Sequence, residues 1–453
     1  MQKKKIHWLG NRQFYRTAMA LGIPLMFQQL ITSSVNLVDN LMVGQLGNTA
    51  LSSVAAVNRL TMVAIFAVNG LLAAAAIFIA QFWGAEDREP MKQTFRFSLL
   101  AAFLILVPFW LGETLIPEQL LSFFTDVQDV IKTGSQYMVI AAWALPFTAF
   151  SLSTASAMRA AGQPRLPLGI SVGAVLINTL LNYLLIFGKG GFPVMGVQGA
   201  ALATVMARLI EALLHLYFLV RKSFPFTTRL RELFVIPRSL AWSILKKALP
   251  LALNEFLWSL GMATLFMLYS QRGPEIMAGY SIANTISDLF FVLFGGLATA
   301  TTILVSKPLG ANQMEEARER AYQLLAFSIF LAVLFSMAMF GASFIVPAWY
   351  QVSVQTRQIA AQMLQVMAVM FWTYTANTQC YFILRAGGDT RSTLFVDSGF
   401  MWLVNIPLIG LLTCFTSMNI MQMYLIGQMT ELAKLSIAYH LVRKEKWLVN
   451  LTQ

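Results

Sequence analysis

The chain has 453 residues, of which 57% are hydrophobic and only 11% are charged. A soluble protein of this length would have about a quarter charged residues, so the composition excludes an ordinary soluble enzyme or binding module. The net charge of +12 suggests a nucleic-acid partner, but the basic residues lie in short breaks between apolar blocks, and no nucleic-acid binding is expected.

The apolar residues form long blocks of about the ~20 residues that a helix needs to cross a bilayer. The sequence therefore predicts an all-α polytopic membrane protein whose immediate partner is the lipid bilayer. The first block is too long for a signal peptide and lacks a small-residue cleavage site, so it counts as a span. The twelve predicted spans are 17–43, 51–82, 94–115, 133–160, 166–188, 196–221, 244–271, 277–307, 319–347, 358–386, 391–414 and 420–442.

Lysine and arginine are distributed unevenly between the two sides of this topology. Twenty-five of them lie on the side that carries both termini, against four on the opposite side. Cytoplasmic loops carry such an excess. Both termini are therefore predicted to be cytoplasmic, in a multi-pass protein of the cytoplasmic (inner or plasma) membrane.

The chain partly overlays itself when it is displaced by 226 positions, the distance from Pro24 to Pro250. The segment MRAAGQPR (158–165) then falls on LRAGGDTR (384–391). This predicts two parallel six-span repeats, and transporters built in this way bind substrate between the halves. The predicted domains are an N-terminal lobe at 1–221, a cytoplasmic linker at 222–243 and a C-terminal lobe at 244–453.

Proline residues lie inside the first span of each repeat. Pro24 and Pro250 each delete an intrahelical hydrogen bond and favour a bend, which is either fixed or part of a conformational change. Pro146 in the fourth span is interpreted in the same way.

The first span carries a carboxylate, Asp39, near its outer end. Gln29, Thr32 and Asn36 precede it at intervals of three or four residues, so all four lie on one face of a helix. Lipid cannot satisfy such a stripe, which must face protein or water, and acids within a membrane are usually functional.

Further oxygen donors occur at a similar depth in later spans. Asn178 and Asn182 are one helical turn apart in the fifth span, and Thr204 lies in the sixth. With Asp39 they form a ligand set for a hard cation such as Na⁺, with Asp39 and Asn178 among the ligands. A buried carboxylate can instead carry a proton. The structural alternative is that the two amide groups and the hydroxyl group only form hydrogen bonds between helices.

The second repeat lacks this carboxylate, since Leu265 replaces Asp39. Glu255 in the seventh span and Asp288 in the eighth are candidates for a second titratable or substrate-facing acid. A carboxyl group hydrogen-bonded within the bundle explains Glu255 equally well. Glu255 and Asp288, with Gln29 and Asn36, are the residues predicted to face substrate.

Other charges within spans have structural interpretations. Arg208 with Glu211, and Glu431 with Lys434, are three residues apart and are predicted to form internal ion pairs. Arg59 either reaches outward or pairs with Asp39, which would weaken the sodium interpretation. There is no Walker loop, GxSxG or HExxH motif, so neither an enzyme nor a cofactor is expected.

These motifs resemble the multidrug and toxic compound extrusion (MATE) family along essentially the whole chain. The resemblance rests on VDNLMVGQLG (38–47), the RAAGQPR and RAGGDTR pair, NxxxN in the fifth span, GAALAT (199–204) and NEFLWSLG (254–261). It implies two pseudo-symmetric six-helix lobes, between which Na⁺ or H⁺ drives the export of organic, usually cationic, compounds.

The resemblance also implies that the cation site uses Asp39, Asn178, Asn182 and Thr204, and that Glu255 matches an acid found in several branches. Some members have an acid where this chain has Asn182, and the tenth span lacks the acid of a second cation site. A monomer is expected. The main alternative is a flippase for lipid-linked oligosaccharide, which should carry several cavity arginines to bind pyrophosphate. A membrane receptor or scaffold would explain neither the duplication nor the buried acids.

Overall fold

The computed structural model describes residues 8–123, 127–350 and 352–452. The side chains of residues 32–38, 40, 41, 48, 230 and 274 lie outside this description. Long helices occupy the positions of all twelve predicted spans. They are α1 Arg12–Gly44, α2 Asn48–Gly84, α3 Arg88–Leu115, α4 in two segments (Gln128–Ala141 and Ala144–Ala160), α5 Arg165–Phe187, α6 Gly196–Lys222, α7 Arg238–Ser270, α8 Pro274–Gly310, α9 Met314–Ile345, α10 Val354–Ala386, α11 Thr390–Phe415 and α12 Ile420–Arg443.

Nine helices in the described part are long and apolar enough to cross a membrane, or ten when the bent pair α4 is counted as one span. Of the other two, α12 contains a buried glutamate and a buried lysine, which lower its hydropathy. Part of α1 lies among the side chains that are not described.

The duplication predicted from the sequence reappears in the helix boundaries. Helices α1 and α7 both have 33 residues, and α2 and α8 both have 37. In each case the second helix begins 226 positions after the first. Gly47 and Gly273, which precede α2 and α8, have φ angles of 104° and 134°, which glycine tolerates best. The two repeats therefore share their backbone turns as well as their helix lengths.

Helix α4 differs from its counterpart α10 by a bend of 51° at Ala142–Trp143. Pro146 follows the break, and its ring would clash with the carbonyl group of Ala142 in a continuous helix. Trp372 occupies the matching position of α10, which is unbroken from Val354 to Ala386. The bend predicted at Pro146 is therefore confirmed.

The chain divides into two compact units, whose boundaries lie inside helices. The N-terminal unit is Phe27–Ala252, and the C-terminal unit is Met1–Met26 with Leu253–Gln453. Each boundary follows a proline of α1 or α7 by two residues. The N-terminal unit therefore includes the first part of α7, and the C-terminal unit includes the first part of α1. The domain boundaries predicted from the sequence, which divide the chain at the linker, stay a prediction.

Two glycines make close helix contacts at equivalent places. In the N-terminal unit, a Cβ on Gly70 of α2 would lie 2.5 Å from the Cα atom of Ala252 and 2.6 Å from its nitrogen. In the C-terminal unit, a Cβ on Gly296 of α8 would overlap the backbone of Leu25 and Met26. Each glycine thus lets a helix approach the backbone two residues beyond a proline, and Gly70 and Gly296 are themselves repeat partners.

Apolar side chains form a separate core in each unit. In the N-terminal unit α2 packs with α4, α5, α6 and the short helix Pro117–Ser122 around Val54, Leu121 and Met138. In the C-terminal unit α8, α9 and α10 pack around Tyr322, Leu324 and Leu384. These cores fix the helices that carry the polar residues described below.

The predicted linker packs on the N-terminal unit. Arg96 of α3 is 1% exposed and donates to Thr228 Oγ1 at 2.6 Å and to the Val235 carbonyl oxygen at 3.1 Å. Its guanidinium also forms an ion pair with Glu232 at 2.5 Å. A buried arginine with this many partners holds the segment in a defined position.

Candidate cation site

Asp39 lies in a small polar cluster of the N-terminal unit. The Asn182 amide nitrogen donates to Asp39 Oδ1 at 2.7 Å. The Asn178 amide, oriented with its nitrogen toward the carboxylate, donates to Oδ1 at 3.0 Å and to Oδ2 at 3.2 Å. Three of the four residues predicted to form the cation site are therefore in contact.

The spacing of the two asparagines explains why they reach the same carboxylate. They are one turn apart on α5, and both side chains face inward, being 7% and 2% exposed. The Asn182 amide also donates to Asn178 Oδ1 at 3.3 Å when that amide is rotated by half a turn. The Asn178 side chain can therefore offer Asp39 either a donor or an oxygen, depending on its rotation.

One acceptor in this cluster has no donor among the described residues. Asn182 Oδ1 is buried and accepts no hydrogen bond from the described residues. A buried polar atom without a partner costs free energy unless a water molecule or an ion satisfies it. This oxygen is therefore a potential ligand beside the carboxylate.

Thr204, the fourth predicted ligand, bonds within its own helix. Its hydroxyl group donates to the Ala200 carbonyl oxygen at 3.0 Å. The buried Tyr137 of α4 lies near both Thr204 and Asp39. Among the described residues no hydrogen bond joins Thr204 to Asp39, so its role as a ligand stays a prediction.

The remaining predicted residues of the first span are only partly described. Gln29 is exposed on the surface of its unit. The side chain of Asn36 lies outside the described residues, as does that of Thr32. The roles of Gln29 and Asn36 in contacting substrate stay predictions.

Glu255 lies in the C-terminal unit and has a basic partner. Its carboxylate is 3.4 Å from Arg385 of α10, and the two side chains are 33% and 9% exposed. Arg385 also lies over the ring of Phe382, 4.9 Å from its centroid. Glu255 is thus paired with an arginine of the repeated LRAGGDTR segment (384–391).

Asp288 of α8 has no ion-pair partner among the described residues, and its side chain is exposed on its unit. Arg59 is likewise exposed, and within the described chain no ion pair joins it to Asp39. The predicted pair of Arg208 and Glu211 is confirmed at 2.7 Å, and that of Lys434 and Glu431 at 3.5 Å.

Sequence reasoning missed two buried acids. Glu113 of α3 is 1% exposed and accepts from Thr61 Oγ1 at 3.3 Å. Asp397 of α11 is 8% exposed and lies 3.0 Å from Lys434 Nζ. The scarcity of acids within spans, the criterion applied to Asp39, would have found both.

Comparison with known protein families finds the same internal duplication. A model of the MatE family matches residues 24–184 and again residues 250–411, and the two matches begin 226 positions apart. The multidrug resistance protein MdtK of Yersinia pseudotuberculosis serotype O:1b (strain IP 31758) is 25% identical over 401 residues, or 86% of each chain. MdtK of Photorhabdus laumondii (strain DSM 15139 / CIP 105565 / TT01) is 26% identical over 401 residues.

Solved structures show the same fold. A structure described as MATE in the bent conformation has a TM-score of 0.87 at 18% identity, covering 96% of both chains. A MOP superfamily transporter from Pyrococcus furiosus has a TM-score of 0.84 at 18% identity, covering 98% of this chain and 100% of its own. The predicted class, a membrane protein of twelve helices in two pseudo-symmetric six-helix lobes, is confirmed.

Proposed function

The chain belongs to the MatE family of membrane transporters, and we propose that it exports organic cations across the cytoplasmic membrane in exchange for Na⁺ or H⁺. It is thus a transporter and not an enzyme. The MdtK relatives are multidrug resistance proteins, which supports drug-like cargo. The orientation proposed from the basic residues places both termini in the cytoplasm.

The observation that supports coupling at Asp39 is the polar cluster around its carboxylate. Asn182 and Asn178 hold that group at 2.7 Å and 3.0 Å. The buried Asn182 Oδ1 adds an oxygen that the described residues leave without a donor. A carboxylate with amide oxygens suits Na⁺, and the same carboxylate can exchange a proton instead.

Rotation of the Asn178 amide would couple ion binding to a change in the arrangement of the helices. Its nitrogen would donate to Asp39 when the carboxylate is ionised and has no ion bound. When Na⁺ or a proton occupies the carboxylate, the amide oxygen becomes the favourable neighbour. The helices α1 and α5, which carry these groups, would then prefer different arrangements.

Binding of the drug and binding of the coupling ion would be mutually exclusive, because each would favour a different arrangement of α1 and α5. An ion shifts a conformational equilibrium only by its differential affinity for the two states. A bend at Pro24, within the helix that carries Asp39, would connect the site to the rest of α1. Pro250 would act in the same way in α7.

Transport of a fluorescent organic cation such as ethidium in proteoliposomes tests the proposal. Efflux is measured under a Na⁺ gradient and, separately, under a pH gradient. Asp39→Asn is expected to reduce gradient-driven efflux to the rate of protein-free liposomes, because the isostere cannot neutralise a cation or exchange a proton. The control Asp87→Asn changes an exposed acid at the start of α3 and should transport at the wild-type rate.

The ion is identified by comparing the gradients. Efflux under the pH gradient alone excludes obligatory sodium coupling, and efflux under the Na⁺ gradient alone excludes obligatory proton coupling. Wild-type rates in Asp39→Asn would refute the role of Asp39. No efflux of wild-type protein under either gradient would favour the flippase of lipid-linked oligosaccharide.

A further inference from the structure

A second buried polar cluster lies in the C-terminal unit, away from the residues assigned to the cation site. Lys434 Nζ of α12 donates to Asp397 Oδ1 at 3.0 Å and to Glu431 Oε1 at 3.5 Å. The exposed fractions of Asp397, Glu431 and Lys434 are 8%, 3% and 4%. We call these three residues the acid–lysine triad.

Neutral groups complete the shell around the triad. Asn254 of α7 donates to Asp397 Oδ2 at 3.0 Å, and Asn377 of α10 donates to Glu431 Oε2 at 2.8 Å. Ser398 donates to Asn254 Oδ1 at 2.8 Å and so fixes the amide that contacts Asp397. Within the described part of the chain, each carboxylate therefore accepts from one side-chain amide besides the lysine.

The charges of the triad do not balance when all three groups are ionised, since two carboxylates face one ammonium. Tyr374 and Tyr381 of α10 are the titratable side chains near Glu431 and Lys434, and phenols stay neutral at physiological pH. Arg385, also on α10, is engaged by Glu255 of α7. An uncompensated charge in a dry interior is so unfavourable that the group changes its protonation state instead.

The first repeat shows what a balanced version of this cluster looks like. Displaced by 226 positions, Lys434 corresponds to Arg208 and Asp397 corresponds to Ser171. Ser171 Oγ donates to Glu211 at 3.3 Å, and Glu211 pairs with Arg208 at 2.7 Å. Arg208 also lies near Asp39, and Glu211 has a second cation nearby, Arg159. The two acids of the first repeat thus have two cations, whereas Asp397 and Glu431 of the second repeat share one lysine.

Two local features point to a ligand of the triad. Asp397 lies in a π-helical segment, Phe395–Gly399, and such departures from α-helix often occur at functional sites. Asn377 is 1% exposed, and within the described residues its Oδ1 accepts no hydrogen bond. A half-turn of this amide would present the oxygen to a protonated Glu431, so the shell can satisfy both protonation states.

We propose that the acid–lysine triad of Asp397, Glu431 and Lys434 is a proton-binding site, which binds one proton on one of its two carboxyl groups. The ammonium group already lies between the acids and repels a metal cation, so a proton is the ligand that fits. This site is independent of the coupling proposed at Asp39. Its proton would alter the contact between Asp397 and Asn254, which lies four residues beyond Pro250 on α7.

Infrared difference spectroscopy of the purified full-length protein tests the proposal, because protonated and ionised carboxyl groups absorb in separate regions. The background is Asp39→Asn, so the outcome does not depend on the coupling site. Asp397→Asn and Glu431→Gln are each expected to remove one protonated-carboxyl signal at neutral pH, because the remaining acid then balances Lys434. The control Glu255→Gln removes a paired carboxylate and should leave that signal unchanged.

A change at the lysine gives the opposite result. Lys434→Met leaves two acids without a cation and is expected to add a second protonated-carboxyl signal. The proposal is overturned if Asp397→Asn and Glu431→Gln both lose only ionised-carboxylate signal. Two acid variants and one lysine variant keep the test valid when one of them fails to fold, which size-exclusion chromatography reports.

Discussion

Substitution of Gly70 by alanine tests the close contact between α2 and α7. The added Cβ would lie 2.5 Å, 2.6 Å and 2.8 Å from three atoms of Ala252, two of which belong to the backbone. No side-chain rotation can relieve a clash with backbone, so the two helices must separate locally. Overpacking of this kind costs about 1–3 kcal/mol.

The matched control is Gly173→Ala in α5, where nothing lies within 4 Å of the added Cβ. Both substitutions gain helix propensity of up to ~1 kcal/mol, so the difference between the variants isolates the clash. For a domain of this size, 1 kcal/mol corresponds to ~2–4 °C in the melting temperature. Gly70→Ala is therefore expected to melt roughly 2–12 °C below Gly173→Ala.

The assay is the apparent melting temperature of detergent-purified protein, measured by size-exclusion chromatography after heating. The repeat partner provides a replicate in the C-terminal unit, where Gly296→Ala is compared with Gly341→Ala in α9, another position with open space. Equal melting of Gly70→Ala and Gly173→Ala would refute the inference that the glycine is required for helix approach.

Three further outcomes follow from the contacts. Arg96→Met should expose the linker to limited proteolysis, because the bonds to Thr228 and Val235 are lost, whereas the exposed Arg229→Met should leave digestion unchanged. Lys434→Met should destabilise the protein by ~3–5 kcal/mol, since it removes one partner of a buried ion pair, and a second change at Asp397 should restore part of the melting temperature. Asn182→Leu removes a 2.7 Å donor to Asp39 and an adjacent oxygen. If Na⁺ is the coupling ion, the Na⁺ concentration that gives the half-maximal efflux rate should increase. If H⁺ is the coupling ion, the H⁺ concentration that gives the half-maximal rate should decrease, because the ionised carboxylate has lost a hydrogen-bond donor.

Much of the fold could be predicted because its signals are local or repeated. Apolar blocks locate the helices, and the displacement from Pro24 to Pro250 reproduces the start of α7 and α8. The break in α4 follows from Pro146. The exchange of the first helical segments between compact units was not predictable, because a proline indicates a bend but not the neighbours on either side of it.

The site was predictable where spacing within one helix carried the information. Asn178 and Asn182 share a face by their separation alone, and the rarity of a membrane acid pointed to Asp39. The acid–lysine triad joins Asp397 to a lysine 37 positions away, and no periodicity connects two residues on different helices. Glu431 and Lys434 were recognised as a pair, but their third member was not.

The helix segments that each repeat contributes to the other's unit have a consequence for how the chain can be divided. Cutting the gene at the linker would separate Met1–Met26 from the unit that it completes. A single-repeat protein could fill that place only by exchanging its leading segment with a second copy. Fragments cut at the linker should therefore fold when they are produced together and fail when either is produced alone.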